Sequence, residues 1–483
     1  MVRLYQQLKN IYHLCQAHAW RLWYGRPERG MKMYGVTGTN GKTTTSILLG
    51  SILREVYGKD KVGLITTIVF WLGGEEKVNE TKMTTMRSQD LFRLLREMKD
   101  RGVERVVIEI TSHALDQHRL AGIALDGAII LNIAREHLDY HGTMQEYAKA
   151  KSRIISYIND KRALIYKADD KWIQRGIVKS PKVKSQMSKS RISTIGFTKS
   201  EAARVETLLE GDWNKENVLA ASLLAKAIGI EKEKVQRGIS RVKQVLGRME
   251  WIEPKFSSIN FQFSNNKLPR VLIDYAVTPD ALAQLYKEVR RMTSGRIFAV
   301  LGACGLRDRG KRPEMARAVA QYVDELVLTR EDPWTEDEAQ IFSDLERGLE
   351  QNLDKTQTLP FRTGPCLMAV AKTKQRTNRP VSNGTLSDGG SKTQNSDKAA
   401  IFSGALDDKS GGKAKPKQFS WQRITDRREA IKYCIEKADS DDVVVVTGKG
   451  AEMGMAIGKK ILPWSDKLVI QELLQEKQEG RVV

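Results

Sequence analysis

The stretch MKMYGVTGTNGKTTTSILLG, residues 31–50, decides how the rest of the chain is read. Tyr34, Val36 and Thr37 suit a strand, Gly38 and Gly41 a tight turn, and Ser46, Ile47, Leu48 and Leu49 continue with helical character. A strand feeding a Gly-rich turn that opens a helix aims backbone N–H groups at one point, where the helix dipole also favours an anion. Lys42 adds a mobile cation suited to outer phosphates, and the Thr43 hydroxyl is suited to holding Mg²⁺. Val36 stands where the common G-x-x-x-x-G-K-[ST] pattern has its first Gly, so the loop is the shorter G-T-N-G-K-T. A ligand-free turn would have no use for Gly-Lys-Thr at this junction. The stretch is expected to hold a nucleotide through Gly38, Thr39, Asn40, Gly41, Lys42, Thr43 and Thr44.

Composition bounds the setting. A chain of 483 residues can bury a large core and form two or three domains. No run approaches about 18 apolar residues, so no membrane span is expected, and polar residues interrupt every apolar stretch before residue 30, which argues against a cleavable signal. Cys15, Cys304, Cys366 and Cys434 lie too far apart for a disulfide framework or zinc knuckle, and a cytoplasmic, reducing setting follows. The formal charge of +21 is partly local. Residues 171–191 carry seven Lys/Arg and no acid, and residues 372–417 carry ten Lys/Arg against four Asp among Ser, Gly, Thr and Asn. The second stretch reads as a disordered insertion. Without aromatic–basic interleaving, these runs suit a solvated, flexible basic surface better than a nucleic-acid site, so no nucleic-acid partner is expected.

Along the chain, Leu4, Leu8, Ile11, Cys15, Ala19 and Leu22 sit at helical spacing within residues 3–23. This amphipathic basic helix is expected to pack on the body, with peripheral membrane contact or partner binding as alternatives. From residue 31 the strand-like runs KVGLITT, RVVIEIT, GAIILNI and ALIYKA alternate with helical stretches. After GRMEWI near residue 247, a second alternation carries RVLIDYA, RIFAVLGA, ELVLT and DVVVVTGKG. The expected class is α/β, with ligands at the strand carboxyl ends: an N-terminal helix (1–30), a central P-loop domain with a parallel sheet (31–245), and a C-terminal Rossmann-like α/β domain (246–483). Polar clusters follow the central strands. Glu109 lies inside an otherwise apolar strand, where a carboxylate is costly unless paired or metal-bound. His137, Asp139 and His141 follow another strand, with Lys149 and Lys151 on the helix beyond. Together with the loop threonine, Glu109 and His137 are candidate Mg²⁺ ligands.

The segments GVTGTNGKTTT, EITSHALDQHRLAGI, NIAREHLDYHGTMQEYAKAKSRI, GRME, IDYAVTPDAL, RDRGKRPEMA and GKGAE resemble, in order, the motif series of the Mur ligases. The best match is the type that adds the third residue of the peptidoglycan stem peptide (MurE type). The resemblance spans most of residues 31–345 and resumes at 423–455. It implies a monomeric, ATP- and Mg²⁺-dependent ligase that phosphorylates the carboxylate of a UDP-muramoyl peptide, so that the amino group of a free amino acid can attack the acyl phosphate. It assigns Lys42 to phosphate, Thr43, Glu109 and His137 to metal, and Lys151 to a carbamylated lysine supporting a second ion, with Lys42, Lys151 and His137 as the catalytic set. Thr84, Thr85, Thr111, Gln117 and Arg119 match positions that hold the peptide substrate. Asn214 and Asn217 match asparagines near the nucleotide base, and Arg248, Asp274 and Lys311 match residues that close over ATP. Closure would shield the acyl phosphate from water.

Four departures qualify the resemblance. Family members carry an N-terminal domain that grips UDP, whereas about 30 residues precede the loop strand here, so either the nucleotide end is held differently or the acceptor lacks UDP. Val277 and Ala451 each replace a histidine of the family motifs. The selectivity motif DNPR becomes Glu331-Asp332-Pro333-Trp334, and Trp cannot make the bidentate bond by which Arg clamps a distal carboxylate. Diaminopimelate is therefore not expected. Lysine, ornithine or another amino acid stays open, with Asp332, Gly448 and Glu452 as candidate contacts. The alternatives are a related ligase on a folate-like or polypeptide acceptor, a non-catalytic nucleotide-binding scaffold, and a nucleic-acid-dependent NTPase.

Overall fold

The computed structural model describes residues 2–254, 268–350, 401–402 and 417–480. The apolar runs of the first half form the central strands β1 (Lys32–Thr37), β2 (Val62–Ile65), β5 (Arg105–Glu109), β6 (Leu125–Ile130), β7 (Ile158–Lys167) and β8 (Ser193–Phe197), with β3 (Val69–Leu72) and β4 (Glu76–Val78) between β2 and β5 in sequence. They make one sheet in the order β4-β3-β2-β5-β1-β6-β7-β8. All pairings from β2 through β8 are parallel, whereas β3 and β4 are antiparallel. The expectation of a parallel sheet is thus corrected at one edge. Thr66 makes the reversal: its hydroxyl donates to the Val69 carbonyl (2.8 Å) and accepts from the Val69 N–H (3.1 Å), folding β3 back on β2.

Both faces of this sheet are covered, which is why its strands read as continuous apolar runs. Val106, Ile108 and Ile130 face α1 (Val2–Trp23), α3 (Ser88–Asp100), α4 (Ser112–Asp116) and α5 (Met144–Ser152), where Ala17, Leu91, Leu95 and Tyr147 are buried. Val107, Ile129 and Leu64 face α2 (Lys42–Tyr57) and the helix Asp212–Ala227. As expected, α1 packs on the body. Gln6 donates to the Tyr140 hydroxyl (2.8 Å) and Asn10 to Asp116 (3.1 Å), while Ile11, Tyr12, Leu22 and Trp23 stay exposed. The basic run 171–191 is folded rather than flexible. It forms three short helical segments, anchored by the fully buried Ile173 and Ile177. The proposed insertion at 372–417 lies, apart from 401–402 and 417, outside the described residues. Among the described residues, no helix is long and apolar enough to cross a membrane.

The second half builds another sheet from β9 (Glu250–Ile252), β10 (Arg270–Asp274), β11 (Ile297–Leu301), β12 (Glu325–Leu328), β13 (Ser420–Arg423) and β14 (Val443–Thr447), in the order β13-β12-β11-β14-β10-β9. Only β9 is antiparallel to its neighbour among these described strands. Helices Pro279–Met292, Lys311–Ala320 and Glu338–Glu350 cover one face, and Arg427–Lys437 and Asp466–Gln478 the other. A fully buried ion pair stitches the latter two together. Arg427 Nε and Nη2 donate to Asp466 at 2.8 and 2.7 Å, Nη2 also reaches the Thr447 carbonyl, and Trp464 Nε1 satisfies Asp466 Oδ1.

Candidate active site

The carboxyl ends of β1, β5 and β6 open onto a cleft of about 950 Å³ whose far wall comes from the second sheet. The loop after β1 is held from behind. The Asn40 N–H donates to Asn132 Oδ1 (2.8 Å), Asn132 Nδ2 returns a bond to the Asn40 carbonyl (3.0 Å), and the Thr39 N–H reaches the Asn132 carbonyl (2.9 Å). Gly41 caps α2 with φ +84°, and a Cβ there would lie 2.2 Å from Asn217 Oδ1. Asn217 also accepts from Thr45 Oγ1 (3.2 Å) and donates to Asn214 Oδ1 (2.9 Å), so both asparagines line the cleft from beneath the loop. The first-turn amides of α2 have no partner within the helix and face the cleft. Lys42 lies beside them, its Nζ resting 2.8 Å from the Thr39 carbonyl. Gly41→Ala combines left-handed strain with this steric contact. It is expected to weaken nucleotide binding about tenfold or more, readable by calorimetric titration; wild-type affinity would show that the loop tolerates a side chain.

Glu109, at the end of β5 and 1% exposed, joins two halves of the site. Its carboxylate accepts from Thr43 Oγ1 (3.0 Å), Thr67 Oγ1 (3.0 Å) and the Thr67 N–H (2.9 Å). Its carbonyl accepts from Thr85 Oγ1 (3.0 Å), which in turn takes the Thr111 N–H (2.9 Å). The Thr84 hydroxyl lies 2.9 Å from Thr67 Oγ1, whose own proton goes to Glu109. Arg119 clamps the Thr85 carbonyl (2.6 Å) and chelates Gln117 Oε1 through two nitrogens. Thr84, Thr85, Thr111 and Arg119 line the cleft; Gln117 stands behind Arg119.

His137, in left-handed backbone at φ +55°, lines the same wall with Glu136 and lies against the His113 ring at 4.6 Å between centroids. Burial first, then Lys311 and Arg307, depresses its pKa to about 4 against the pull of Glu136. His113 is pushed down to about 2 by burial and by His137 and His141. Both imidazoles are therefore neutral near pH 7, the form that coordinates a metal. Lys151 does not line the cleft. It lies 1% exposed beneath the loop, Nζ donating to the Gly38 carbonyl (2.7 Å), and burial together with Lys42 holds its pKa well below the usual range.

From the second sheet, Arg248 reaches across to Thr43 Oγ1 (3.3 Å) over the Tyr275 ring, and Lys311 enters at the start of its helix. Asp274 is fixed by the Met249 and Ala276 N–H groups at 2.7 and 2.6 Å. Asp332 and Glu452 are not free contacts. Lys449 pairs with both, and Lys82 reaches Asp332 from the central half. Gly448 lets its backbone pass Glu331, which is 5% exposed and whose Oε2 is buried without a partner among the described residues. Burial raises the Glu331 pKa to about 7. Thr67, Asn132, His113, Lys82 and Glu331 thus belong to the site without having been singled out from sequence. Thr67 and Asn132 carried a signal, each being a polar residue just past an apolar strand; Lys82 carried none.

A Gly-rich loop that opens a helix on one α/β sheet, with polar and charged side chains of a second sheet facing it across a shared cleft, is the arrangement expected of a nucleotide-dependent enzyme whose site is built by two domains. Residues 36–225 match the Mur ligase middle domain, and residues 247–364 the Mur ligase glutamate ligase domain. The chain is 30% identical over 475 residues to the UDP-N-acetylmuramoyl-L-alanyl-D-glutamate--2,6-diaminopimelate ligase of Geobacillus kaustophilus, covering 94% of this chain and 81% of that one. It is 35% identical to the UDP-N-acetylmuramyl-tripeptide synthetase of Roseiflexus sp. over 68% of this chain and 67% of that one. The fold also matches E. coli FolC in complex with ADP (TM-score 0.58, 14% identity, 98% of this chain and 94% of that one). The chain belongs to the Mur ligase family, ATP-dependent enzymes that form amide bonds.

Proposed function

We propose that this enzyme adds an amino acid to a UDP-N-acetylmuramoyl peptide through an acyl phosphate. The observation that carries the reading is Glu109, whose side chain holds the nucleotide-side Thr43 while its backbone holds the acceptor-side Thr85. One residue thereby registers phosphate donor against carboxylate acceptor, the positioning on which phosphoryl transfer depends. In the proposed cycle the α2 amides and Lys42 hold the terminal phosphates while the acceptor carboxylate, placed by Thr84, Thr85, Thr111 and Arg119, attacks the γ-phosphorus and ADP leaves. The amino group then attacks the acyl carbon, loses a proton, and expels phosphate. Arg248, Asp274 and Lys311 close the nucleotide side and keep water out.

The donors fit a hard divalent cation. Thr43 and Glu109 already lie 3.0 Å apart, and a neutral His137 shares their cleft. Mg²⁺ held there would neutralise charge on the phosphates. Lys151 suits carbamylation because a lowered pKa favours the neutral amine that adds CO₂, and the resulting anion would face the loop rather than the open cleft.

The partnerless Glu331 and the tryptophan at the clamp position favour an amino acid with a side-chain amine and no distal carboxylate. Since the folded Glu331 pKa lies above the ordinary 4.5, its stabilising effect is complete below 4.5 and lost as pH rises through about 7. Glu331→Gln should therefore gain stability relative to wild type between pH 5 and pH 8; a pH-independent difference in melting temperature would contradict this.

The direct test is Mg²⁺-dependent phosphate release from ATP with UDP-muramoyl dipeptide and each candidate amino acid. Release requiring both partners, with a product one residue heavier, is expected. ATP binding without release under any pairing would overturn the reading in favour of a scaffold or an acceptor lacking UDP.

A further inference from the structure

Lys82 is a cation inside the cleft that the catalytic scheme does not use. It sits in the loop between β4 and α3, two residues before Thr84, in left-handed backbone at φ +54°. Its side chain crosses to the second sheet, where Nζ lies 2.9 and 3.1 Å from the two Asp332 oxygens and 3.5 Å from Glu452 Oε2. Asp332 also accepts from Lys449 (2.9 Å) and the Ala456 N–H (2.8 Å), and Lys449 pairs with Glu452 as well. Two lysines thus neutralise two carboxylates before any amino acid arrives. Glu331, next in sequence to Asp332, keeps its Oε2 buried without a partner among the described residues. Lys82 and Glu452 also border a second cavity of about 310 Å³, walled by Met453, Ile461, Leu462 and Pro463, so the Lys82 side chain stands between the two spaces.

An incoming side-chain ammonium has the same charge and donor set as the Lys82 head. It must either displace Lys82 from Asp332 and Glu452 or sit beside it and be repelled. We propose that Lys82 is a specificity-determining residue: a resident ammonium that occupies part of the amino-acid site and raises the threshold for amino acids with cationic side chains. This rests on the ligase reading for the identity of the site, but its effect is one of binding and needs no turnover. An internal group holding a site for about nine-tenths of the time raises the apparent Kd of its competitor about tenfold.

The experiment is calorimetric binding of lysine, ornithine, alanine and diaminopimelate to wild type, Lys82→Met and Lys82→Arg, alongside the phosphate-release assay. Lysine and ornithine are expected to bind Lys82→Met about tenfold more tightly than wild type, with alanine unchanged and Lys82→Arg close to wild type. Equal or weaker lysine binding in Lys82→Met overturns the proposal, as does failure of lysine to bind either protein. Diaminopimelate binding that falls in Lys82→Met also overturns it, because Lys82 would then serve the distal carboxylate. Tighter lysine binding in Lys82→Met without phosphate release from wild type would leave the proposal standing and remove the ligase reading.

Discussion

Replacing Lys42 by alanine is expected to lower amino-acid-dependent phosphate release about 10²–10³-fold, the cost typical of deleting one preorganised charge at a developing anion. Among the described residues its ammonium makes one hydrogen bond, to the Thr39 carbonyl within the loop itself, so its loss breaks no tie between the loop and the rest of the fold. The loop itself stays anchored through Asn132 and Asn217. The deficit should appear in kcat with ATP saturating, because the γ-phosphate carries most charge as it transfers. A loss under about fivefold, with an unchanged melting temperature, would mean that the α2 amides alone stabilise the transferring phosphoryl.

The largest stability effect is expected at Asp466. Removing it leaves the fully buried Arg427 guanidinium without its bidentate partner, and breaking one side of such a pair costs about 3–5 kcal/mol. The penalty is that of an uncompensated charge, so Asp466→Ala should be far more damaging than the double replacement Arg427→Met/Asp466→Leu. Urea unfolding followed by several probes would isolate the transition of the second sheet in a chain this long. If single and double variants lose equal stability, the pair contributes by packing rather than by charge.

Most of the architecture was legible because burial on both faces writes itself as apolar runs. RVVIEIT, GAIILNI and VVVVT each became a central strand. Val69–Leu72 went unread although it is apolar, because it follows β2 after a three-residue turn with no Gly or Pro to mark the break. Two other missed strands lack the apolar signature. Glu76–Val78 is exposed throughout, and Ser193–Phe197 buries only its last residue. Residues 171–191 misled for the opposite reason: seven cations concealed two apolar anchors, Ile173 and Ile177. Within the site, residues fixed by local backbone were readable. Gly41 and Thr43 follow from turn and helix chemistry, and Glu109 from the cost of a carboxylate in a strand. Lys82 was not readable, because its partners lie 250 and 370 positions away and nothing in its own loop announces an ion pair. Glu331 was visible as a residue, yet only the three-dimensional arrangement reveals its buried oxygen without a partner.

The hairpin that turns the first sheet's edge antiparallel also bears on how the protein behaves in a crowded solution. A parallel sheet ending at β2 would present apolar strand backbone to any passing chain. Instead the last strand is three residues long, and its Glu76 and Lys77 are tied to Arg54 and Glu97. Short, charged edge strands are poor templates for intermolecular pairing. The same reversal that departs from the parallel pattern therefore guards this flank against aggregation, independently of anything that happens in the cleft.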